Sequence, residues 1–130
     1  MICEGSAKSV RLTDGNLQVT IDSDRDTDFV DAKGRVPYRD WLETLDVATR
    51  VRVVTASLRM EMGNFSAAKG VGSGVYELRL DTGAGYRVYF GKEGAQLVIL
   101  LGGGSKRRQQ ADISKAHALW AEYKVRKREE

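Results

Sequence analysis

The sequence predicts an α+β fold: a helical hairpin, a mainly antiparallel sheet, and a closing helix. Between Gly63 and Gln109 lie 11 of the chain's 14 glycines and three apolar runs, a pattern that reads as three strands joined by tight turns. On either side of that stretch, apolar residues recur at helical spacing. With 130 residues, 42% apolar and 30% charged, the chain has the size and composition of one globular core.

Residues 1–16 show no sustained period and read as a loosely ordered lead-in, leaving one domain over residues 17–130. Leu17, Val19 and Ile21 alternate with polar residues, as an N-terminal half-buried strand would. The run Asp22, Asp24, Asp26 and Asp28 resembles the start of a calcium loop. It has Thr27 where the loop needs glycine and Lys33 where it needs a bidentate carboxylate, so a solvated acidic loop is expected.

Pro37 suits a first helical turn, where its missing N–H has no partner to lose. Tyr38, Trp41, Leu42 and Leu45 then form one apolar stripe. Asp46 is placed to cap a second helix, with an expected stripe of Val47, Val51, Val54, Leu58 and Met62 and a left-handed end at Gly63 or Asn64. Trp41 and Trp120 are both expected in the core.

In the central stretch Tyr76, Leu78 and Leu80 alternate with Glu77 and Arg79, and Tyr86, Val88 and Phe90 alternate with Arg87 and Tyr89. Period two puts Arg79, Arg87 and Tyr89 on the polar, solvent-facing side of the sheet, where removing an arginine would leave the fold intact. The run Leu97–Leu101 is apolar on both faces and reads as an inner strand, with GGGSK as a flexible exit that brings Lys106, Arg107 and Arg108 beside the sheet. A last helix carries Ile113, Ala116, Trp120 and Tyr123 and is expected to fray over its basic end. His117 falls among these as a half-buried packing residue.

Charge is distributed unevenly. Residues 1–46 carry 6 basic and 10 acidic groups, residues 47–85 carry 5 and 3, and residues 86–130 carry 10 and 5. The cationic C-terminal part favours a phosphate-bearing partner. One cysteine and one histidine leave no imidazole or thiolate set for zinc, and no motif implies a cofactor, so any chemistry falls to Arg, Lys, Tyr and carboxylates. GVGSG lacks the third glycine and the following helix of a dinucleotide fingerprint. No run approaches the roughly 18 apolar residues of a membrane span, and the start, MICEGSAKSVRL, lacks a signal peptide's apolar stretch; a cytoplasmic protein is expected. The constellation that remains is Lys69, Arg79, Arg87, Tyr89, Lys106 and Arg107. Arginine forks suit phosphate and a tyrosine ring can stack on a base, so these residues suit an RNA cradle.

Taken together, PYRDWLETLD, MGNF, GVGSGVYELRLD, GYRVYFG and LLGGGSK followed by the closing helix are similar to the HigB-like addiction module killer proteins related to a phage-derived protein, a branch of the RelE/ParE toxin superfamily. The resemblance spans about residues 36–123. It implies a RelE-like α+β fold, with an N-terminal strand and helical hairpin before the sheet and a helix after it. It also implies a toxin of a type II toxin–antitoxin system. RelE-like and HigB-like members cut messenger RNA on the ribosome, without a metal, through the 2′-hydroxyl, and are silenced by a co-expressed antitoxin in a hetero-oligomer. Here that antitoxin would be a helix-turn-helix protein encoded next door. ParE-like members poison DNA gyrase with no chemistry of their own, and an impaired homologue that only binds its antitoxin would keep the same pattern.

Carried over by position, the arginine of GYR that touches the scissile phosphate is Arg87, the basic residue of the preceding strand is Arg79, and those after the last strand are Lys106 and Arg107. Tyr89 would stack a base or supply a proton, and Lys69, Arg107 and Arg108 would hold the RNA. The chain departs from RelE proper at Glu77, which stands in place of a lysine, and at Ile113, which stands in place of a tyrosine. Ser105 precedes Lys106 where the family often has aspartate.

Overall fold

In the computed structural model, the described residues are 8–13, 16–21, 27–81, 83–93 and 97–128. Strands β1 (Lys8–Thr13) and β2 (Asn16–Ile21) pair antiparallel in a two-stranded sheet of their own, Lys8 opposite Ile21 and Thr13 opposite Asn16. Residues 8–13, read from sequence as a loose lead-in, are therefore a strand. Most of the acidic run, residues 22–26, lies outside the described residues, but Asp28 is not solvated as expected. Its side chain is 1% exposed and lies 3.2 Å from Arg39 Nη2.

Helix α1 (Pro37–Leu42) starts on its proline, and α2 (Val47–Glu61) is capped by Asp46, whose Oδ1 accepts from Thr49 N at 2.8 Å. Gly63, at φ 112°, follows α2 in the left-handed region. The buried side of α2 keeps Val54 and Leu58 of the expected stripe but not its other members. Val53, Val54, Ser57 and Met60 face the sheet, while Val47, Val51 and Met62 are exposed. Ser57 hides this face in the sequence: its hydroxyl is buried, bonded to Val53 O at 2.9 Å and to Tyr38 Oη at 2.8 Å, so a polar residue occupies a core position at little cost.

Four strands, not three, make the main sheet: β3 (Ala68–Gly72), β4 (Val75–Arg79), β5 (Arg87–Glu93) and β6 (Leu97–Gly104), antiparallel in sequence order. The glycine-rich segment before β4 is a strand and its hairpin turn, with Gly72, Ser73 and Gly74 all at positive φ. Strand β6 ends this order, yet its outer edge is engaged by the chain at residues 27–29, where Phe29 N bonds Leu100 O at 2.9 Å and Leu100 N bonds Thr27 O at 2.6 Å. Gly103 and Gly104 belong to the strand and are no flexible exit. Trp41 lies against Gly103 and the Asp112 carboxylate against Gly104, where a Cβ would overlap them.

A single turn of 3-10 helix (Lys106–Arg108) leads into α3 (Gln109–Arg128), which stays helical through its basic end; Arg126 Nη1 donates to Val30 O at 2.6 Å. The sheet is covered on both faces. On one, Leu78, Val88, Phe90 and Leu100 pack against Tyr38, Leu42, Val53 and Met60 of α1 and α2. On the other, Val75, Tyr89, Ile99 and Leu101 pack against Ala116 and Trp120 of α3 and against Phe29. The face read as polar and open is thus roofed by α3, apart from its end at Arg79. His117 is half-buried with Nε2 2.9 Å from Val71 O, the packing role expected of it. Among the described residues no helix is long and apolar enough to cross a membrane, and no cluster of His, Cys, Asp and Glu could hold a metal ion.

Candidate phosphate-binding site

Antiparallel register sets the site. Lys69, Glu77 and Tyr89 lie in one row across β3, β4 and β5, and Arg79 and Arg87 lie opposite each other in the next. All five project to the α3 side, because residues two apart on a strand share a face.

Within this array α3 divides the buried from the accessible. Glu77 and Arg87 fall under its first turn. The Glu77 side chain is 1% exposed and that of Arg87 9%, with Oε2 and Nε 3.4 Å apart. This contact is ionic only, since Arg87 Nε is buried with no hydrogen-bond acceptor. Gln109 Nε2 donates to the other Glu77 oxygen at 2.9 Å, and Arg87 Nη1 donates to Gly85 O at 2.8 Å. The guanidinium is held on two sides, its orientation set by β4 and by the turn that precedes β5.

Beyond the edge of α3 the array opens. Arg79, Arg87 and Lys106 line a cleft of about 380 Å³ with Asp81, Leu80, Gly83 and Gly85. Arg79 and Lys106 are exposed at its rim and Arg87 is buried at its base. Gly85, at φ 72°, is forced by the turn and also by space, since a Cβ there would crowd Lys106 and approach Arg87. A neighbouring cleft of about 330 Å³, lined by Lys69, Glu77, Arg79 and Asp81, shares a wall with the first. Three arginine and lysine side chains against one carboxylate, Asp81, give this open cleft a chemistry suited to a phosphate or phosphodiester.

Tyr89 is not part of that cleft. It is 1% exposed beneath α3, and its hydroxyl is buried beside the Glu77 carboxylate without forming a well-aligned hydrogen bond to it. Burial, followed by the charges of Glu77 and Asp112, pushes its phenol above the ordinary range. Its ring has no free face for a base. Asp112, on the first turn of α3, lines the same small cavity of about 60 Å³. Its Oδ2 is also buried and unpartnered, and burial raises its carboxyl above the usual carboxylate value.

Of the remaining sequence-derived candidates, Lys69 lies in the neighbouring cleft, and Arg107 and Arg108 turn into a separate groove with Trp41 and Tyr86. Sequence reasoning missed the part played by Glu77, Gln109 and Asp81. Glu77 carried a signal, sharing the period-two face of Arg79, but its ion pair depends on where α3 docks.

The family model described as "Phage derived protein Gp49-like" matches residues 40–121, a span from α1 into α3 that contains every cleft residue. A protein of Haemophilus influenzae described as uncharacterized is 37% identical to the chain over 91 residues, covering 69% of this chain and 92% of that protein. No solved structure matches the chain.

Proposed function

Because the chain belongs to the phage-derived Gp49-like family, a family of addiction-module killer, RelE-like toxins, we propose that it is the toxin of a type II toxin–antitoxin pair and cuts messenger RNA on the ribosome, in the cytoplasm. The observation that carries this reading is the convergence of Arg79, Arg87 and Lys106 on one open cleft. Cleavage through the 2′-hydroxyl forms a bond from the 2′-oxygen to phosphorus and breaks the bond to the 5′-oxygen. The pentavalent phosphate between them gains negative charge, which preorganised cations stabilise, the more so once bound RNA displaces water from the cleft.

Each side chain then has a task. Arg87, clamped by Glu77 and by Gly85 O, presents a guanidinium that needs no reorganisation as charge develops. Arg79 and Lys106 hold the other phosphate oxygens from the rim. Asp81, an exposed carboxylate that lines both clefts, is the acceptor for the 2′-hydroxyl proton, and Lys106 is the donor to the leaving oxygen. Lys69, Arg107 and Arg108 bind the flanking backbone. No metal is invoked, since the cations supply the charge. So modest an acid–base set fits an enzyme that relies on the ribosome to position its substrate, because orientation can contribute as much as about 7 to 11 kcal/mol.

A second reading, an impaired homologue that only binds its antitoxin, is favoured by the outer face of α2. Val47, Val51 and Met62 are 69%, 57% and 81% exposed there, an apolar surface for a partner helix. Induction in cells separates the readings. A messenger RNA nuclease leaves new RNA 5′ ends at codons in the ribosomal A site, and those ends vanish with Arg79→Ala. Gyrase-linked DNA breaks would replace this reading with gyrase poisoning, and neither lesion would leave the antitoxin-binding homologue.

A further inference from the structure

The geometry points to a nucleobase site next to the cleft, in which an unstacked base of single-stranded RNA rests on the Trp41–Tyr86 ring pair. The inference rests on the RNA reading above. The site is an open groove of about 880 Å³ between α1, the turn before β5, and the start of α3. Trp41 and Tyr86 are both half-buried in its wall, 6.3 Å apart and inclined at 60°. Their edge-to-face contact fixes two rings at the rim of the core, and Gly103 beneath Trp41 lets the indole lie directly on β6.

Charge selects the occupant. Arg107 and Arg108 enter this groove exposed, and neither is in an ion pair among the described residues. Lys115 adds a third cation from α3. Of the acids on the same walls, Asp31 is already paired with Arg35 at 3.2 Å, and one oxygen of Asp112 is buried. Asp40 stays exposed. Aromatic faces among unpaired arginines are the elements of a single-strand site, because every base offers a π face and every nucleotide a phosphate.

Continuity with the cleft gives the strand a path from one to the other. Along the turn before β5, Gly85 faces the cleft while Ala84 and Tyr86 face the groove; after β6, Lys106 faces the cleft while Ser105 and Arg107 face the groove. A hydrogen bond from Lys106 N to Ala84 O, 3.3 Å, ties the two segments into one ridge. A phosphate held in the cleft would therefore have its adjoining nucleotide at the ridge, whose other side carries Tyr86. The base stacking that sequence reasoning gave to Tyr89 falls to these two residues.

Binding of a short 2′-O-methyl oligonucleotide, which cannot be cut, tests the site in the full chain. Trp120 is 2% exposed and shielded, so Trp41 is the fluorescent reporter. The expected result is saturable quenching by the base-bearing oligomer and none by an abasic oligomer of the same length. By anisotropy, Tyr86→Leu or Trp41→Leu should weaken the base-bearing oligomer about 5- to 150-fold and leave the abasic one unchanged. Equal quenching by both oligomers, binding without quenching, or no binding at low salt would each overturn the site, as would quenching by the antitoxin alone. The oligomer comparison on the unmodified chain needs no variant to fold. If Arg79→Ala abolishes messenger RNA cleavage while Tyr86→Leu binds and cuts normally, the base site fails and the nuclease reading stands. If the oligomer binds through the rings and no RNA is cut in cells, the nuclease reading fails and the base site stands.

Discussion

Glu77 and Arg87 form a diagonal ion pair between β4 and β5, 3.4 Å apart and both roofed by α3. Burial changes what removing the arginine would do. A sheet-face cation contributes little to stability, but a buried one neutralises a carboxylate that, among the described residues, is in no other ion pair. Arg87→Ala should therefore destabilise the fold by about 3 to 5 kcal/mol, and Arg87→Met with Glu77→Leu should recover most of that loss. Urea unfolding of the single and double variants measures this; a single variant as stable as the parent would mean that the pair is open to water.

Tyr89→Phe is expected to leave stability unchanged or slightly raised and to leave function intact. The phenol oxygen is buried and makes no well-aligned hydrogen bond to the neighbouring Glu77, so deleting it removes a desolvated group and keeps the ring that packs against α3. Loss of growth arrest in a fully folded Tyr89→Phe protein would give the hydroxyl a part in the chemistry.

Asp112 makes a pH-dependent prediction. Burial raises its carboxyl above the ordinary 3.8, against the opposing pull of Arg108 and Lys115. The folded chain therefore holds this proton to higher pH than the unfolded chain. Stability falls as pH rises from about 3.8 through the raised value, because the charge must be accommodated in the fold. Asp112→Asn should then raise the thermal midpoint at pH 7, and the gain should shrink as acid protonates the aspartate in both states. A midpoint difference that stays constant from pH 3 to pH 7 would rule out this titration.

Packing under α3 gives a further test. Gly91 lies against the ring of Trp120, which is 2% exposed, and a Cβ on it would overlap that ring. Gly91→Ala should cost about 1 to 3 kcal/mol by overpacking and Trp120→Ala about 3 to 5 kcal/mol by the cavity it leaves. Chemical denaturation checks both values. A neutral Gly91→Ala would show that the helix can shift away without loss.

These cases also mark where the sequence was legible. Period two identified β4 and β5 and placed Arg79 and Arg87 on one side, and the Asp46 cap and Pro37 located both early helices. What could not be read was which side of the sheet is wet. That depends on α3 docking with Trp120 on Gly91 and Asp112 on Gly104, contacts whose glycines look like loop residues in a linear reading. The buried face of α2 was lost for a related reason, since Ser57 is polar by composition and is satisfied in the core by Val53 O one turn back and by Tyr38, nineteen positions away. Burial therefore turned Arg87 and Tyr89 from surface groups into supported interior ones, while Arg79 and Lys106 kept their exposure.

Arg79 is thus the residue at which stability and function separate. It is exposed and lies directly opposite Arg87 in the sheet, an arrangement of like charges that is mildly unfavourable. Removing it should leave the unfolding midpoint unchanged or raise it. The same change takes a forked cation from the rim of the cleft that Arg87 and Lys106 also line, where the proposed phosphate would gain charge. Arg79→Ala should then abolish growth arrest and messenger RNA cleavage, and Arg79→Lys should restore them in part, with charge but without the fork. Growth curves after induction, RNA end mapping and a thermal melt on the same preparations provide the three readings. A stable Arg79→Ala protein that arrests growth as the parent does would remove the cleft from the chemistry and turn attention to the exposed face of α2.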